Sequence, residues 1–185
     1  MPKPDVLLVA PLPHPPTMAL LNERFTIHRL WDAKDKEALI HSIKDTCSAA
    51  ATSGLASMSG EVIAALPKLK MISVFGVGYD GVDIGAARNA GIHVTNTPDV
   101  LNECVADTAW ALILATVRGT AFNDRFVRAG EWLTAKAPLT NRVWGETMGI
   151  VGLGRIGKAI ARRAQGFGMR VAYHGRTEQK DVTFE

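Results

Sequence analysis

The sequence predicts an α/β protein built on a doubly wound parallel sheet, and three observations lead to that class. Short apolar runs alternate with segments of helical periodicity along the first half of the chain. A second alternation of apolar run and helix surrounds a glycine-rich turn that starts at Gly152. This interleaving is typical of parallel sheets, because each parallel pair needs a helix-sized connection. The chain has 185 residues, which suffices for one domain of ordinary size and part of another.

Five strands are predicted in the first half, each a short apolar or β-rich run that ends in turn-forming residues. Four prolines follow the first run, so residues 11–16 predict a loop. The predicted strands are residues 5–10, 25–31, 47–52, 71–75 and 93–96. The predicted helices between them are residues 35–44, 61–66 and 82–89.

The character of the sequence changes after Pro98, which places a domain boundary near residue 99. Residues 104–117 form a helix pattern that is apolar nearly all round, so we expect this helix to be buried between layers or domains. The remaining predicted elements are a helix at 121–129, a strand at 147–151, a helix at 155–167 and a strand at 170–173. The predicted domains are therefore residues 1–99 and 100–185.

One sharp motif lies between the strand and the helix of the second domain. It is the GxGxxG run Gly152-Leu153-Gly154-Arg155-Ile156-Gly157. The first glycine permits a tight turn, the second lets a pyrophosphate approach the backbone, and the third lets helix and strand pack closely. Free N–H groups at the helix start then face the phosphates. The motif predicts a dinucleotide site at these six residues.

Two other interpretations of this motif stay open. Residues 152–158 also satisfy the start of a nucleoside-triphosphate loop, GxxxxGK, but Ala159 stands where a Ser or Thr should bind Mg²⁺. The run could also be a glycine-rich turn without a ligand. The preceding apolar strand and the following amphipathic helix favour the dinucleotide interpretation.

The end of the second strand bears on the choice of cofactor. An acidic residue about 20 positions beyond the glycines would bind the ribose hydroxyls of NAD. The sequence there reads Tyr173-His174-Gly175-Arg176-Thr177, without a carboxylate. Arg176 could pair with a 2′-phosphate and Thr177 could donate a hydrogen bond to it, so Gly175, Arg176 and Thr177 predict that NADP is preferred and NAD possible. The alternative is that Arg176 is only a solvated loop charge.

Composition and charge exclude several classes of partner. Lysine and arginine number 21 against 18 acidic residues, and a net charge of +3 needs no nucleic-acid patch to explain it. The most apolar stretch, residues 108–117, is too short to span a bilayer. Cys47 and Cys104 lie far apart, which favours a reducing, cytoplasmic compartment. His14, His28, His41 and His93 are isolated, with no Cys, Asp or Glu at metal-ligand spacing, so no metal site is predicted.

Five motifs stand in a characteristic order and spacing along the chain. They are residues 75–83 (FGVGYDGVD), 94–98 (VTNTP), 105–109 (VADTA), 128–132 (RAGEW) and 149–157 (GIVGLGRIG). Together these motifs resemble the D-isomer-specific 2-hydroxyacid dehydrogenase family, in its glyoxylate/hydroxypyruvate reductase and 2-ketogluconate reductase branch. The resemblance covers essentially the whole chain, and the order and spacing of its motifs are more specific than the glycine run alone.

The resemblance implies a flavodoxin-like parallel-sheet substrate domain over residues 1–99, followed by a Rossmann dinucleotide-binding domain over residues 100–185 that stops after its second strand. It also implies that the N–H groups of Val77 and Gly78 bind a substrate carboxylate at the mouth of an interdomain cleft, with Gly76 allowing the bend. A Gly-x-Gly turn after a strand can present such donors. The alternative is a turn that only joins strand to helix.

The implied reaction is hydride transfer between NAD(P)H and a small 2-keto acid, such as glyoxylate, hydroxypyruvate or 2-ketogluconate, which gives a D-2-hydroxy acid. The family's catalytic His, Glu and Arg are expected beyond residue 185, so no catalytic residue is predicted within this sequence. A non-enzymatic dinucleotide-binding regulator on the same scaffold is the alternative. The resemblance also implies a homodimer, since members of this family are usually dimers. The apolar helix from Cys104 and the region of Trp132 agree with this expectation.

Overall fold

The computed structural model describes residues 3–180 and residue 182, and the chain divides into two compact units. The first unit is Met1–Pro98 and the second is Asp99–Glu185. Within residues 3–180, no helix combines the length and the apolar character that crossing a bilayer requires.

The first unit is a five-stranded sheet with the order β2-β1-β3-β4-β5, in which every neighbouring pair is parallel. This is the flavodoxin-like order, and it confirms the predicted fold class. The strands are β1 Asp5–Leu8, β2 Thr26–Arg29, β3 Cys47–Ser53, β4 Met71–Phe75 and β5 His93–Thr95. The helices are α1 Pro15–Arg24, α2 Lys36–Ile43, α3 Gly60–Ala64 and α4 Ile84–Asn89, with a 3-10 turn at Leu30–Asp32.

Helix α1 corrects the sequence analysis, which predicted only a loop after the first strand. The helix begins at Pro15, with prolines at its first two positions. Proline is tolerated there because the first N–H groups of a helix have no intrahelical partner. The His14 side chain accepts a hydrogen bond from the Thr17 N–H and so caps the helix start. Proline therefore marks the beginning of a helix in this segment.

The core of the first unit lies on both faces of the sheet. One cluster joins inward residues of β1, β3 and β4 to helices α2, α3 and α4, and includes the fully buried Leu7, Met58 and Ile72. A smaller cluster around Val6, Leu8 and Leu12 packs under α1. Since side chains alternate across a strand, Val6 and Leu7 serve opposite faces.

A side-chain hydrogen bond joins Asp5, the first residue of β1, to His28, the third residue of β2. His28 Nε2 lies 2.7 Å from Asp5 Oδ1, and both side chains are largely buried. Hydrogen bonds from His28 and from Thr46 hold the pKa of Asp5 below its ordinary value. The pair therefore stabilises the edge strand β2 when Asp5 is ionised.

The stability contribution of Asp5 should depend on pH. A carboxyl whose pKa is lowered by folding contributes above its unfolded pKa, about 3.9, and loses that contribution as pH falls through the folded pKa. We expect Asp5→Asn to be less stable than the wild type near neutral pH, with the difference shrinking below about pH 4. Urea denaturation across this range measures the difference, and exposed Asp45→Asn is the control. A difference that grew towards acid pH would contradict the expectation.

The second unit contains helices and a two-stranded parallel sheet made of β6 and β7. Its strand, glycine turn, helix and strand follow the order expected at the start of a Rossmann domain. The elements are α5 Asn102–Val117, α6 Thr120–Arg128, a 3-10 turn at Glu131–Leu133, β6 Thr147–Val151, α7 Arg155–Gln165 and β7 Arg170–His174.

Helix α5 is less buried than the sequence predicts. Among its residues only Ala106 and Trp110 are fully buried. Val105 is 38% exposed and Leu112 is 63% exposed, so a second face of the helix is apolar and open within the described residues. Composition shows that a helix is apolar all round, but not which of its faces a neighbour covers.

Helices α5 and α7 are joined by the side chain of Trp110 and by ion pairs. Trp110 donates from Nε1 to the Ile160 carbonyl oxygen at 3.0 Å, and its ring stacks on Phe167 with centroids 4.6 Å apart. Arg163 of α7 bonds to both Glu103 and Asp107 of α5. These bonds raise the pKa of Arg163 and keep its guanidinium charged. The helix that carries the glycine turn is thus held against α5.

Candidate functional site

The first part of the candidate site is the loop that follows β4. Gly76 has a φ of 149°, a conformation that side chains rarely adopt, and this lets the chain bend directly after Phe75. Within the described residues, the N–H groups of Val77 and Gly78 have no hydrogen-bond acceptor. Backbone donors that lack a partner are the groups that bind an anion in a nest-like turn. We call residues 76–78 the carboxylate loop, after the ligand that the family resemblance implies for it.

The carboxylate loop is packed against the loop that follows β3. A Cβ on Gly54 would lie 2.6 Å from the Gly78 carbonyl oxygen, and a Cβ on Gly81 would collide with the Ala56 carbonyl oxygen. The Met58 N–H donates to the Gly81 carbonyl at 2.8 Å, which ties the two loops together. Leu55 is fully exposed on the β3 loop. Gly54 and Gly81 were not predicted as site residues, because only the folded chain shows the close approach.

The carbonyl groups of the carboxylate loop are held from the end of β5. The Thr97 N–H donates to the Gly76 carbonyl at 2.9 Å. The Asn96 side chain donates from Nδ2 to the Val77 carbonyl at 2.8 Å. Asn96 lies within a motif that carried the family resemblance, yet the sequence offered no sign of this contact.

The second part of the candidate site is the glycine turn between β6 and α7. Gly152 has a φ of 92°, and its N–H donates to the His174 carbonyl at 2.8 Å, which joins the turn to the end of β7. A Cβ on Gly157 would lie well under 3.0 Å from the Gly152 carbonyl oxygen. The close packing of helix and strand that the motif predicts is therefore present.

The geometry of this turn fits a dinucleotide pyrophosphate. A Cβ on Gly154 would meet open space, so the backbone there is accessible to a ligand. Gly154 is also the N-cap of α7 and supplies no side-chain acceptor, so its cap leaves the first N–H groups of the helix uncapped. These donors and the positive end of the helix dipole attract phosphate. A pyrophosphate would be held by residues 152–157.

Residues 175–177 follow β7 directly, as expected for the adenosine end of a dinucleotide site. Gly175, Arg176 and Thr177 are all exposed. Arg176 has no ion pair or hydrogen bond within residues 3–180. The guanidinium is available to a phosphate group.

The histidines serve other purposes or lie alone. His28 pairs with Asp5, and His14 caps α1. His174 ends β7 beside the Gly152 N–H. In the part of the chain that the structure describes, no three His, Cys, Asp or Glu side chains are grouped as metal ligands.

A flavodoxin-like unit followed by a strand, glycine turn and helix defines a class of two-unit α/β proteins, each unit with a glycine-containing turn at the carboxyl end of a parallel strand. The model of the D-isomer specific 2-hydroxyacid dehydrogenase family, catalytic domain, matches residues 6–179. The chain belongs to this family, which confirms the resemblance that the motifs indicated.

Similar proteins include a glyoxylate reductase of Thermococcus onnurineus, which is 42% identical over 99% of this chain and 57% of its own length. A glyoxylate/hydroxypyruvate reductase of Arabidopsis thaliana is 41% identical over 89% of this chain and 53% of its own length. The chain thus spans a little over half the length of these relatives.

Solved structures give the same result for the fold. A 2-hydroxyacid dehydrogenase from Ketogulonicigenium vulgare has a TM-score of 0.93 and 42% identity, covering 99% of this chain and 57% of that one. An NADPH-dependent glyoxylate/hydroxypyruvate reductase from Sinorhizobium meliloti, in complex with NADP and malonate, has a TM-score of 0.84 and 40% identity, covering 98% and 56%.

Proposed function

We propose that this protein is an NAD(P)H-dependent reductase that converts a small 2-keto acid into a D-2-hydroxy acid. Glyoxylate and hydroxypyruvate are the first candidate substrates, and 2-ketogluconate is the third. The single observation that carries the proposal is the pair of unpartnered N–H groups at Val77 and Gly78, in a chain whose second unit carries a pyrophosphate turn. The names of the relatives support the same reaction.

The residues of this chain have binding roles in the proposed reaction. Val77 and Gly78 would donate to the substrate carboxylate, with Gly76 providing the bend, and residues 152–157 would bind the pyrophosphate. When bound, the nicotinamide supplies the hydride. We assign no general acid to residues 3–180, because their histidines have no geometry that suits the role.

The decisive experiment is an assay of the full gene product for oxidation of NADPH and NADH with glyoxylate, hydroxypyruvate and 2-ketogluconate. We expect turnover with at least one of these keto acids. Absence of turnover with all of them would refute the reductase proposal. Dinucleotide binding without turnover would indicate the regulatory alternative instead.

We also propose that NADP is preferred over NAD. The exposed, unpaired Arg176 beside Thr177 supports this preference, since a guanidinium can bind a 2′-phosphate in bidentate fashion. Gly175 directly follows β7 and has no side chain that would block a ligand from its backbone.

Arg176→Ala should therefore raise the Kd for NADPH at least tenfold while leaving the Kd for NADH within about twofold, because a charge-assisted pair is worth roughly 1.5–3 kcal/mol. Fluorescence titration measures both constants. Arg125→Ala removes another exposed arginine of the second unit, on α6, and should change neither. An equal effect of Arg176→Ala on both cofactors would remove the phosphate role.

We infer a homodimer from the exposed apolar side chains of the second unit. Leu112 on α5, Val127 on α6, and Trp132 and Leu133 in the turn that follows α6 are all more than half exposed. Large apolar side chains that remain this exposed are candidates for an interface. Light scattering of the full gene product should give twice the mass of one chain, and a monomer at micromolar concentration would contradict the inference.

We place the protein in the cytoplasm on the state of its two cysteines. Cys47 and Cys104 are both free thiols. Burial raises the pKa of the Cys47 thiol, which keeps it protonated and unreactive. Free thiols persist in reducing compartments. Cell fractionation tests the assignment, and recovery outside the cytoplasm would overturn it.

A further inference from the structure

The carboxylate loop is held by two hydrogen bonds that both come from one short segment. The Thr97 N–H binds the Gly76 carbonyl, and the Asn96 amide nitrogen binds the Val77 carbonyl. A backbone carbonyl can only accept a hydrogen bond, so the Asn96 side chain must present its NH₂ group to it. Asn96 is half-buried, which protects this bond from competition by water.

These two bonds also determine the direction of the N–H groups. In a trans peptide the C=O and the following N–H point in opposite directions and share one rigid plane. No cis peptide bond occurs among the described residues. The Gly76 carbonyl is therefore coupled to the Val77 N–H, and the Val77 carbonyl to the Gly78 N–H. Because both carbonyls point towards residues 96 and 97, both N–H groups point away from them.

The Asn96 bond is the one that a side chain controls. Thr97 acts through its backbone, which any residue except proline would supply. An Asp at position 96 would have the same shape but no donor at neutral pH, and its charge would oppose an anion on the loop. An Asn supplies the donor without adding a charge.

We propose that Asn96 is a positioning residue that aims the Gly78 N–H at the substrate carboxylate. The inference rests on the proposed function, which assigns binding of the substrate carboxylate to the carboxylate loop. Gly54 supports the same loop by a second contact, because its lack of a Cβ lets the Gly78 carbonyl pack directly on the β3 loop. Asn96 acts through the Val77 peptide and does not itself bind the substrate.

The test uses the full gene product and the variants Asn96→Ala and Asn96→Asp. Asn89→Ala and Asn89→Asp are matched controls, because Asn89 ends α4 in the same unit and its exposed side chain has no hydrogen-bond partner among residues 3–180. Loss of one hydrogen bond should raise the KM for glyoxylate and the inhibition constant of malonate roughly tenfold in Asn96→Ala, and more in Asn96→Asp. The KM for NADPH should stay within twofold, and the Asn89 variants should match the wild type.

A second measurement does not need turnover. In ¹H–¹⁵N correlation spectra, the Val77, Gly78 and Thr97 amide signals should shift in both Asn96 variants and stay in place in both Asn89 variants. Asn96→Asp keeps the shape of the side chain and so guards against misfolding of Asn96→Ala.

The outcomes separate the two claims. A wild type that reduces none of glyoxylate, hydroxypyruvate and 2-ketogluconate refutes the proposed function, while the amide signals still decide the role of Asn96. Unshifted Val77 and Gly78 signals overturn the positioning role. Unchanged KM and malonate affinity in both Asn96 variants overturn it too, as does an equal rise in KM for glyoxylate and NADPH, which would indicate a merely structural role.

Discussion

Replacing Gly157 with alanine should raise the Kd for NADPH by at least tenfold and destabilise the second unit by about 1–3 kcal/mol, the usual cost of overpacking. The added Cβ would collide with the Gly152 carbonyl oxygen. A backbone atom cannot move aside as a flexible side chain can, so helix α7 must shift away from β6. The turn that the motif builds for pyrophosphate would open with it. Isothermal titration calorimetry measures the affinity, and urea denaturation the stability.

Two other glycines separate the effects of this substitution. Gly154→Ala should weaken NADPH binding without loss of stability, because its Cβ would enter the open space where phosphates approach. Gly149→Ala, in β6, also meets open space and lies outside the turn, so it should change neither quantity. Wild-type affinity in Gly157→Ala would mean that the turn does not hold the cofactor.

Trp110→Ala should lower the free energy of unfolding of the second unit by about 3–5 kcal/mol. Trp110 is 95% buried, bonds to the Ile160 carbonyl and stacks on Phe167 at an interplanar angle of 7°. Truncation leaves a cavity between α5 and α7. It also removes the hydrogen bond from the indole to the Ile160 carbonyl. Urea denaturation followed by circular dichroism gives the free energy without relying on tryptophan fluorescence.

Trp110→Phe distinguishes packing from hydrogen bonding. It retains an aromatic ring against Phe167 but loses the N–H donor, which should cost about 1 kcal/mol in addition to the smaller ring's lost contacts. Trp144→Phe is the matched control, since Trp144 is 68% exposed and should change stability little. A loss below about 1 kcal/mol in Trp110→Ala would show that α5 and α7 are held mainly by their other contacts, which are the remaining apolar side chains of the cluster and the ion pairs.

The strands were predictable from the sequence because their signal is local. Strands β4 Met71–Phe75 and β6 Thr147–Val151 occupy the residues predicted for them, and the other strands differ from prediction by one to three residues at their ends. Helix α1 was missed because four prolines in residues 11–16 suggested a loop, although proline suits the first turn of a helix.

The candidate site was predictable only at positions where the backbone conformation or packing requires glycine. Gly152, Gly157 and Gly76 carry such signals, since a positive φ or a close approach demands glycine there. The role of Asn96 depends on where β5 ends relative to the loop after β4. This contact exists only in the folded chain, so the local sequence does not predict it. Which face of α5 is exposed could not be predicted either, because it depends on which elements pack against the helix in the folded chain.

The topology of the first unit has a consequence for synthesis on the ribosome. All five strands of its sheet lie between Asp5 and Thr95, so every hydrogen-bonding partner of the sheet is made before the second unit begins. Domains generally fold as units in chain order during translation. The last strand to emerge, β5, is followed at once by Asn96 and Thr97, which restrain residues 76–78. The hydrogen bonds that restrain residues 76–78 are therefore completed as the final local step in that unit's synthesis.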